Sequence, residues 1–319
     1  MGVKALGAFS GGLDSMLAAR TLADQGIEVH LATFFSPFFG SGKGRLAAAR
    51  LGMPWRELDY TGTIMELVVH PPSGLGRNCN PCIDCHAGMF AMLGRIAGEE
   101  GFSLIFSGEV LGQRPMSQNR QSLGRVAFLS GFGDILLRPL SARLLKPTRP
   151  EAEGLVDRNR LLDICGRSRK RQMELAAGYS MEYDVPAGGC RLTDVDYSAR
   201  LRVLLGTPGL YTAPNASLVS HGRMFVLPGG AVGLIGRDQG DNEALVSLAG
   251  ERATLELADR PGPSGILLGD EAALPVLASL VALYGKTPPG GSARVRMGAR
   301  EVEVMPMAPE EARSMLVTS

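Results

Sequence analysis

Two hydroxyls, two glycines and a carboxylate fall within six residues, Ser10-Gly11-Gly12-Leu13-Asp14-Ser15. The hexapeptide follows a short apolar run, Val3 to Phe9, and precedes a stretch with the composition of a helix, Met16 to Ala23. A strand, a glycine turn and a helix start in that order make an anion-binding site. The glycines let the chain turn with its N–H groups pointing inward, and the helix N-terminus adds partial positive charge. Ser10 and Ser15 can donate to phosphate oxygens, and Asp14 can hold a magnesium ion that bridges them. An ordinary capped turn would use some of the same residues, but seldom all six after a strand. The loop lacks the Gly-Lys-Ser/Thr ending of a Walker loop and the G-x-G-x-x-G of a dinucleotide site. Both a kinase and a dehydrogenase are disfavoured.

Sulfur chemistry is the second possibility. Of five cysteines, three lie in Asn78-Cys79-Asn80-Pro81-Cys82-Ile83-Asp84-Cys85-His86. The spacing C-x-x-C-x-x-C on a loop lets several thiolates converge on one ion or cluster. Cys79, Cys82, Cys85 and His86 could hold structural zinc, two thiols could form a disulfide, or the site could handle sulfur as an iron–sulfur cluster or a persulfide. An adenylating loop in the same domain favours the last, because an activated carbonyl needs a nucleophile. Helix N-termini lower thiol pKa, so a reactive thiolate is expected here. Cys190, on the turn Pro186-Ala187-Gly188-Gly189-Cys190-Arg191, is the natural distant partner, with an inert buried thiol as its alternative. Cys165, in an apolar run from Leu161, reads as a core residue.

These stretches resemble known enzymes. Ser10 to Ser15 looks like the PP-loop of the ATP pyrophosphatase superfamily, whose members cleave ATP between the α and β phosphates. Asn80-Pro81-Cys82-x-x-Cys85 resembles the N-P-x-x-x-C segment of tRNA 2-thiouridylases, with Cys85 at the catalytic position and Cys190 at the second cysteine. Cys82 falls where that family carries Asp or Cys. Gly108-Glu109-Val110-Leu111-Gly112-Gln113-Arg114-Pro115-Met116-Ser117-Gln118 resembles a segment of 4-thiouridine synthetases, and Leu137-Arg138-Pro139-Leu140 is found in both. Gly189-Cys190-x-Leu192-Thr193-Asp194 and Gly233-x-Ile235-Gly236-Arg237 are similar to a group of thiouridylase-like proteins with a C-terminal extension. The resemblance implies an adenine nucleotide alpha hydrolase-like fold, ATP and Mg2+ on the loop, and Gly108, Gln113 and Arg114 beside the phosphates or the base. It also implies a [4Fe–4S] cluster on Cys82, Cys85 and Cys190, with Cys79 as substitute ligand or relay; zinc, or a persulfide without metal, is the alternative. Cys79 is an addition to the 2-thiouridylase pattern, and the RNA-binding domains of 4-thiouridine synthetases are not found here.

The elements that must position these residues read as an α/β fold. Strands at Lys4–Phe9, Ile27–Phe34, Trp55–Tyr60, Ser103–Ser107 and Ile135–Leu140 alternate with helices at Leu13–Gln25, Lys43–Leu51 and Ala87–Glu100. That alternation predicts a doubly wound, mainly parallel sheet, with ligands beyond the carboxyl ends of its strands. A PP-loop catalytic domain is expected over 1–149, an Arg-rich helical segment carrying Cys190 over 150–211, and a small α+β module over 212–319. In the middle segment, helical pieces are expected at 151–155, 158–164 and 168–177. There Arg167, Arg169, Lys170 and Arg171 are the best candidates for RNA backbone contact, against the alternative of a solvated helix face. The C-terminal module's composition admits RNA docking or homodimerisation.

Composition bounds the rest. Hydrophobic residues make up 45% and charged residues 20% of 319, enough to bury a core, and the formal charge of +1 gives no global attraction to polyanions. No apolar run reaches the roughly 20 residues of a membrane span, and no signal-peptide pattern opens the chain, so the expected location is cytoplasmic. The sequence therefore points to an ATP-dependent RNA sulfurtransferase acting on tRNA, with an external sulfur donor. An adenylating amide ligase with structural zinc is the alternative, and a non-catalytic RNA-binding or metal-carrier protein is the third reading.

Overall fold

Short runs of Leu, Ala, Val and Phe form the strands expected near the N-terminus, buried as strands are when helices cover both faces of a sheet. In the computed structural model, which describes residues 2–184, 189–288 and 290–318, the chain divides into two compact units, Met1–Cys190 and Arg191–Ser319. The first alternates β1 (Lys4–Ala8), α1 (Leu13–Ala23), β2 (Glu28–Phe35), α2 (Gly42–Leu51) and β3 (Trp55–Asp59). It continues through α3 (Thr61–Val69), α4 (Cys82–Glu100), β4 (Leu104–Ser107), α5 (Arg120–Ser130) and β5 (Leu136–Leu137). Its five strands lie in the order β3-β2-β1-β4-β5, every pair parallel. The expected doubly wound sheet is there.

That order has one consequence for chemistry. The chain leaves β1 toward β2 on one side and later returns to β4 on the other, so the loops after β1 and β4 open a crevice at the switch point. The β1 loop is Ser10 to Gly12 and the β4 loop begins at Gly108. Buried Leu13, Met16, Leu17, Ala18 and Leu22 of α1 pack with Phe9, Leu31, Leu104 and Phe106 to fix this end of the sheet. Thr33 of β2 adds a polar tie: its hydroxyl donates to the Phe9 carbonyl (2.7 Å) and accepts from Trp55 Nε1 (2.8 Å).

Several expected boundaries shift. Helix α4 starts at Cys82, five residues earlier than Ala87, because Pro81 stands at its N-cap and suits a helix entry. Helices α3 and α5 were not foreseen; α5 exposes Phe128 and Leu129 and buries Ser122 and Ser130, which breaks its apolar period. The fifth strand is two residues long rather than six. Beyond it come α6 (Arg149–Ala152) and α7 (Lys170–Gly178), and only a single 3-10 turn, Arg158–Arg160, stands where a helix over 158–164 was expected. Cys165 is consequently exposed, not core, because no helical period carries it inward after Ile164.

The second unit holds α8 (Val195–Gly206), α9 (Ala213–Leu218), β6 (Arg223–Val226), β7 (Val232–Ile235), α10 (Gln239–Leu248), β8 (Thr254–Leu257) and β9 (Gly265–Leu268). It ends with α11 (Leu274–Tyr284), β10 (Ala293–Met297), β11 (Arg300–Val304) and α12 (Pro309–Met315). Its six strands pair antiparallel in the order β11-β10-β8-β9-β7-β6. Leu277, Leu280 and Val281 of α11 pack with Phe225, Leu255 and Val295 to form a core of its own.

Candidate functional site

Gly11 takes φ +74°, and a side chain there would meet the Lys43 carbonyl oxygen at 2.5 Å. Only glycine lets the loop turn so close to the start of α2. Gly108 is equally constrained: a Cβ on it would stand 2.5 Å from the Ser15 backbone nitrogen. The two loops at the switch point therefore touch backbone to backbone. Ser15, buried in the first turn of α1, donates its hydroxyl to the Gly12 carbonyl (2.8 Å), and its oxygen lies 3.4 Å from that of exposed Ser10. The result is a narrow cradle of backbone and hydroxyl groups at a helix N-terminus, a place where anions are stabilised.

Asp14 sits at the edge of the cradle in a network drawn from distant parts of the chain. Gln113 Nε2 donates to Asp14 Oδ2 (2.7 Å), and Gln172 Nε2 donates to Gln113 Oε1 (3.2 Å). Arg169 Nη2 approaches the same carboxylate oxygen at 3.6 Å. Asp14 Oδ1 is buried and has no hydrogen-bond partner among the described residues. Buried carboxylate oxygens are rarely left so, and a cation would satisfy it. This donor suits magnesium. Gln172, fully buried on α7, was missed; its one signal was a polar residue four positions before buried Ala176, on the same helix face.

Glu109 links the cradle to the cysteines. It follows Gly108, lies 6% exposed, and receives Arg138 Nε (2.8 Å), the Ser107 hydroxyl (3.2 Å) and an interaction with His86 Nδ1 (3.0 Å). Burial pushes this carboxyl up, but the Arg138 charge and the His86 hydrogen bond outweigh it and hold it at about 2. His86 is the neighbour of Cys85 on α4, so its side chain serves Glu109 instead of joining the cysteines as the zinc reading required.

Cys82 and Cys85 occupy the first turn of α4, three residues apart on one face, while Cys79 is buried in the preceding loop. Asn80 Nδ2 donates to Cys82 Sγ (3.1 Å), and the Tyr60 hydroxyl donates to the Cys85 carbonyl (3.1 Å). Asp84, buried between the two thiols, accepts both the Ser73 backbone N–H (2.8 Å) and hydroxyl (2.6 Å). Burial pushes the Cys85 thiol up, and the nearby Cys190 and Cys82 sulfurs and the Asp84 carboxylate push it the same way. The direction is opposite to the lowering expected at a helix N-terminus. Cys190, about a hundred residues away in the sequence, is thus near enough to Cys85 to influence its thiol. Of its expected turn, residues 186–188 lie outside the described residues.

Whether the thiols can hold a metal is a matter of convergence. Among the described residues, no three Cys, His, Asp or Glu side chains close on a common point. Among these residues no preformed ligand group for the expected [4Fe–4S] cluster or zinc ion is present. Arg169, named as an RNA contact, faces Asp14, and Arg171 pairs with Asp163. Lys170, at 84% side-chain exposure, and Arg167 face solvent, as does Arg114. No helix among the described residues is long and apolar enough to cross a membrane.

No family model matches the chain. Over 144 residues it is 31% identical to the tRNA-specific 2-thiouridylase MnmA of Micrococcus luteus, covering 39% of this chain and 38% of that protein. The chain resembles a tRNA thiouridylase. It spans well under half the length of that relative. Among solved structures, a 4-thiouridine synthetase–RNA complex with bound ATP overlaps 54% of this chain and 50% of its own, with 22% identity and a TM-score of 0.37. A structure titled "predicted subunit of tRNA methyltransferase", from Methanocaldococcus jannaschii, overlaps 55% and 76%, with 16% identity and a TM-score of 0.35. Both superpositions are loose.

Proposed function

We propose that the chain is an ATP-dependent RNA sulfurtransferase that adenylates a uracil carbonyl of tRNA and replaces its oxygen with sulfur. The observation that carries this reading is the link from cradle to thiols: Ser15 against Gly108, Glu109 on His86, and Cys85 next along the same helix. The match to a protein named for tRNA 2-thiouridylation supports the substrate class.

The cradle of Ser10, Gly11, Gly12 and Ser15 binds the ATP phosphates, and Gln113 and Arg114 flank them or the base. Asp14, through its unpartnered Oδ1, would hold a magnesium ion, which neutralises phosphate charge when bound. The uracil oxygen attacks the α-phosphorus, the bond to the β-phosphate oxygen breaks, and pyrophosphate leaves. Positioning and charge neutralisation supply most of the rate in such a step. In this reading the sulfur comes as a persulfide that an external donor loads on Cys85. Its terminal sulfur attacks the adenylated carbon and AMP leaves with the carbonyl oxygen. The Cys190 thiol, losing its proton to water, then attacks Cys85 Sγ. The S–S bond breaks toward the base, leaving a thiocarbonyl and a Cys85–Cys190 disulfide that a thiol reductant reopens. The target base reaches the crevice unpaired or flipped.

The test is to incubate the protein with MgATP, a persulfide donor and unmodified tRNA, and to measure AMP and thiouridine together. Equimolar AMP and thiouridine that depend on tRNA support the reading. AMP formed without RNA, on adding an amine, would replace it with an amide ligase.

A further inference from the structure

Three arginines and a histidine of the second unit gather on one turn, residues 219–222, that the proposed chemistry does not use. Arg200 Nη1 donates to the Val219 carbonyl (3.0 Å), and Arg191 Nη1 donates to the Ser220 hydroxyl (2.9 Å). His221 Nδ1 lies 3.8 Å from Asp241 Oδ1, and Arg237 Nε donates to Asp241 Oδ2 at 2.6 Å. Gly222 takes φ +66°, and a Cβ there would run into the Ile235 carbonyl, so the turn is pressed against the end of β7. The segment Gly236-Arg237, singled out in the sequence without a role, supplies one of the four.

We propose that this turn is the floor of a phosphate-binding site formed by Arg191, Arg200, His221 and Arg237. Three guanidinium groups offer planar, forked donors suited to phosphate oxygens. Nη1 of Arg237 and Nη2 of Arg200 make no hydrogen bond among the described residues. Two of the acids around them cap helices, and Asp241 pairs directly with Arg237. Asp194 caps α8 through the Tyr197 N–H, Asp238 caps α10 through the Asp241 N–H, and Asp241 is buried beneath Arg237. Asp196 is exposed in the first turn of α8. Burial and then the Arg191 charge press His221 toward its neutral form against the pull of Asp241, while burial and Arg237 press on Arg200 against Asp196, Asp241 and Asp194. The phosphate belongs to an RNA backbone or to a small phosphate compound, and the two are separable.

The experiment measures binding of a labelled 20-nucleotide single-stranded RNA and, separately, of labelled pyrophosphate. It compares wild type, Arg191→Ala and the pair Arg191→Ala/Arg237→Gln with an Arg294→Gln control on β10. If the phosphate is RNA's, the pair weakens RNA binding about tenfold and lowers its salt slope by about one to two, while the control does neither. If it is a small phosphate's, the pair loses one pyrophosphate site and keeps RNA affinity. Unchanged binding of both probes overturns the proposal. Arg191→Ala, an exposed position, keeps the test open if the pair fails to fold. No residue is shared with the Ser10–Ser15 loop, so AMP formation separates failure here from failure of the sulfurtransferase reading.

Discussion

Glu109 carries charge inside the core, and its stability contribution follows from its partners. Its carboxyl titrates at about 2 in the fold against an ordinary 4.5, so the contribution is full above pH 4.5 and is lost as pH falls toward 2. Arg138→Met leaves that carboxylate buried with only His86 and the Ser107 hydroxyl, and should cost about 3–5 kcal/mol in urea unfolding, whereas Arg138→Met with Glu109→Gln should recover much of it. The cysteines divide by exposure. Cys165 should react with iodoacetamide at neutral pH long before Cys85, as mass spectrometry of partly labelled protein would reveal. Asp14 and Cys85 divide by step: Asp14→Asn should abolish both AMP and thiouridine, and Cys85→Ser should abolish thiouridine while AMP still forms. Loss of AMP in Cys85→Ser would place the thiol in adenylation instead.

At the scale of elements, the contact between the β1 and β4 loops is the feature most open to mutation. Gly108→Ala drives a methyl group into the Ser15 and Asp14 backbone, which cannot rotate away, so we expect a loss of about 1–3 kcal/mol by denaturant melts and of nucleotide binding. Much of this scale was legible in the sequence. The buried runs of β1 and β2 and the glycine turn before α1 are local signals, and they placed the cradle correctly. The start of α4 was not, because Asn80-Pro81 marks a turn and a helix entry equally well. Gln172 and Arg169 were illegible as neighbours of Asp14, since more than 150 residues separate them and only the packing of α7 on α1 brings them together. Cys165 was misread because apolar neighbours imply burial only when a regular period carries them.

At the scale of the molecule, two cores with separate sheets imply two cooperative units. Calorimetry should resolve two transitions, with MgATP raising the one that belongs to the first unit. A single transition unaffected by nucleotide would speak against the assignment of the cradle. The hydrogen-bond chain from Trp55 through Thr33 to the Phe9 carbonyl makes that assignment visible. Trp55 is the sequence's only tryptophan, and two hydrogen bonds join it to the residue before Ser10. The protein therefore carries its own fluorophore, wired to one loop of one unit. Its emission reports the first unit's unfolding with no signal from the second, and a change on adding MgATP, absent in Asp14→Asn, would read out occupancy without any label.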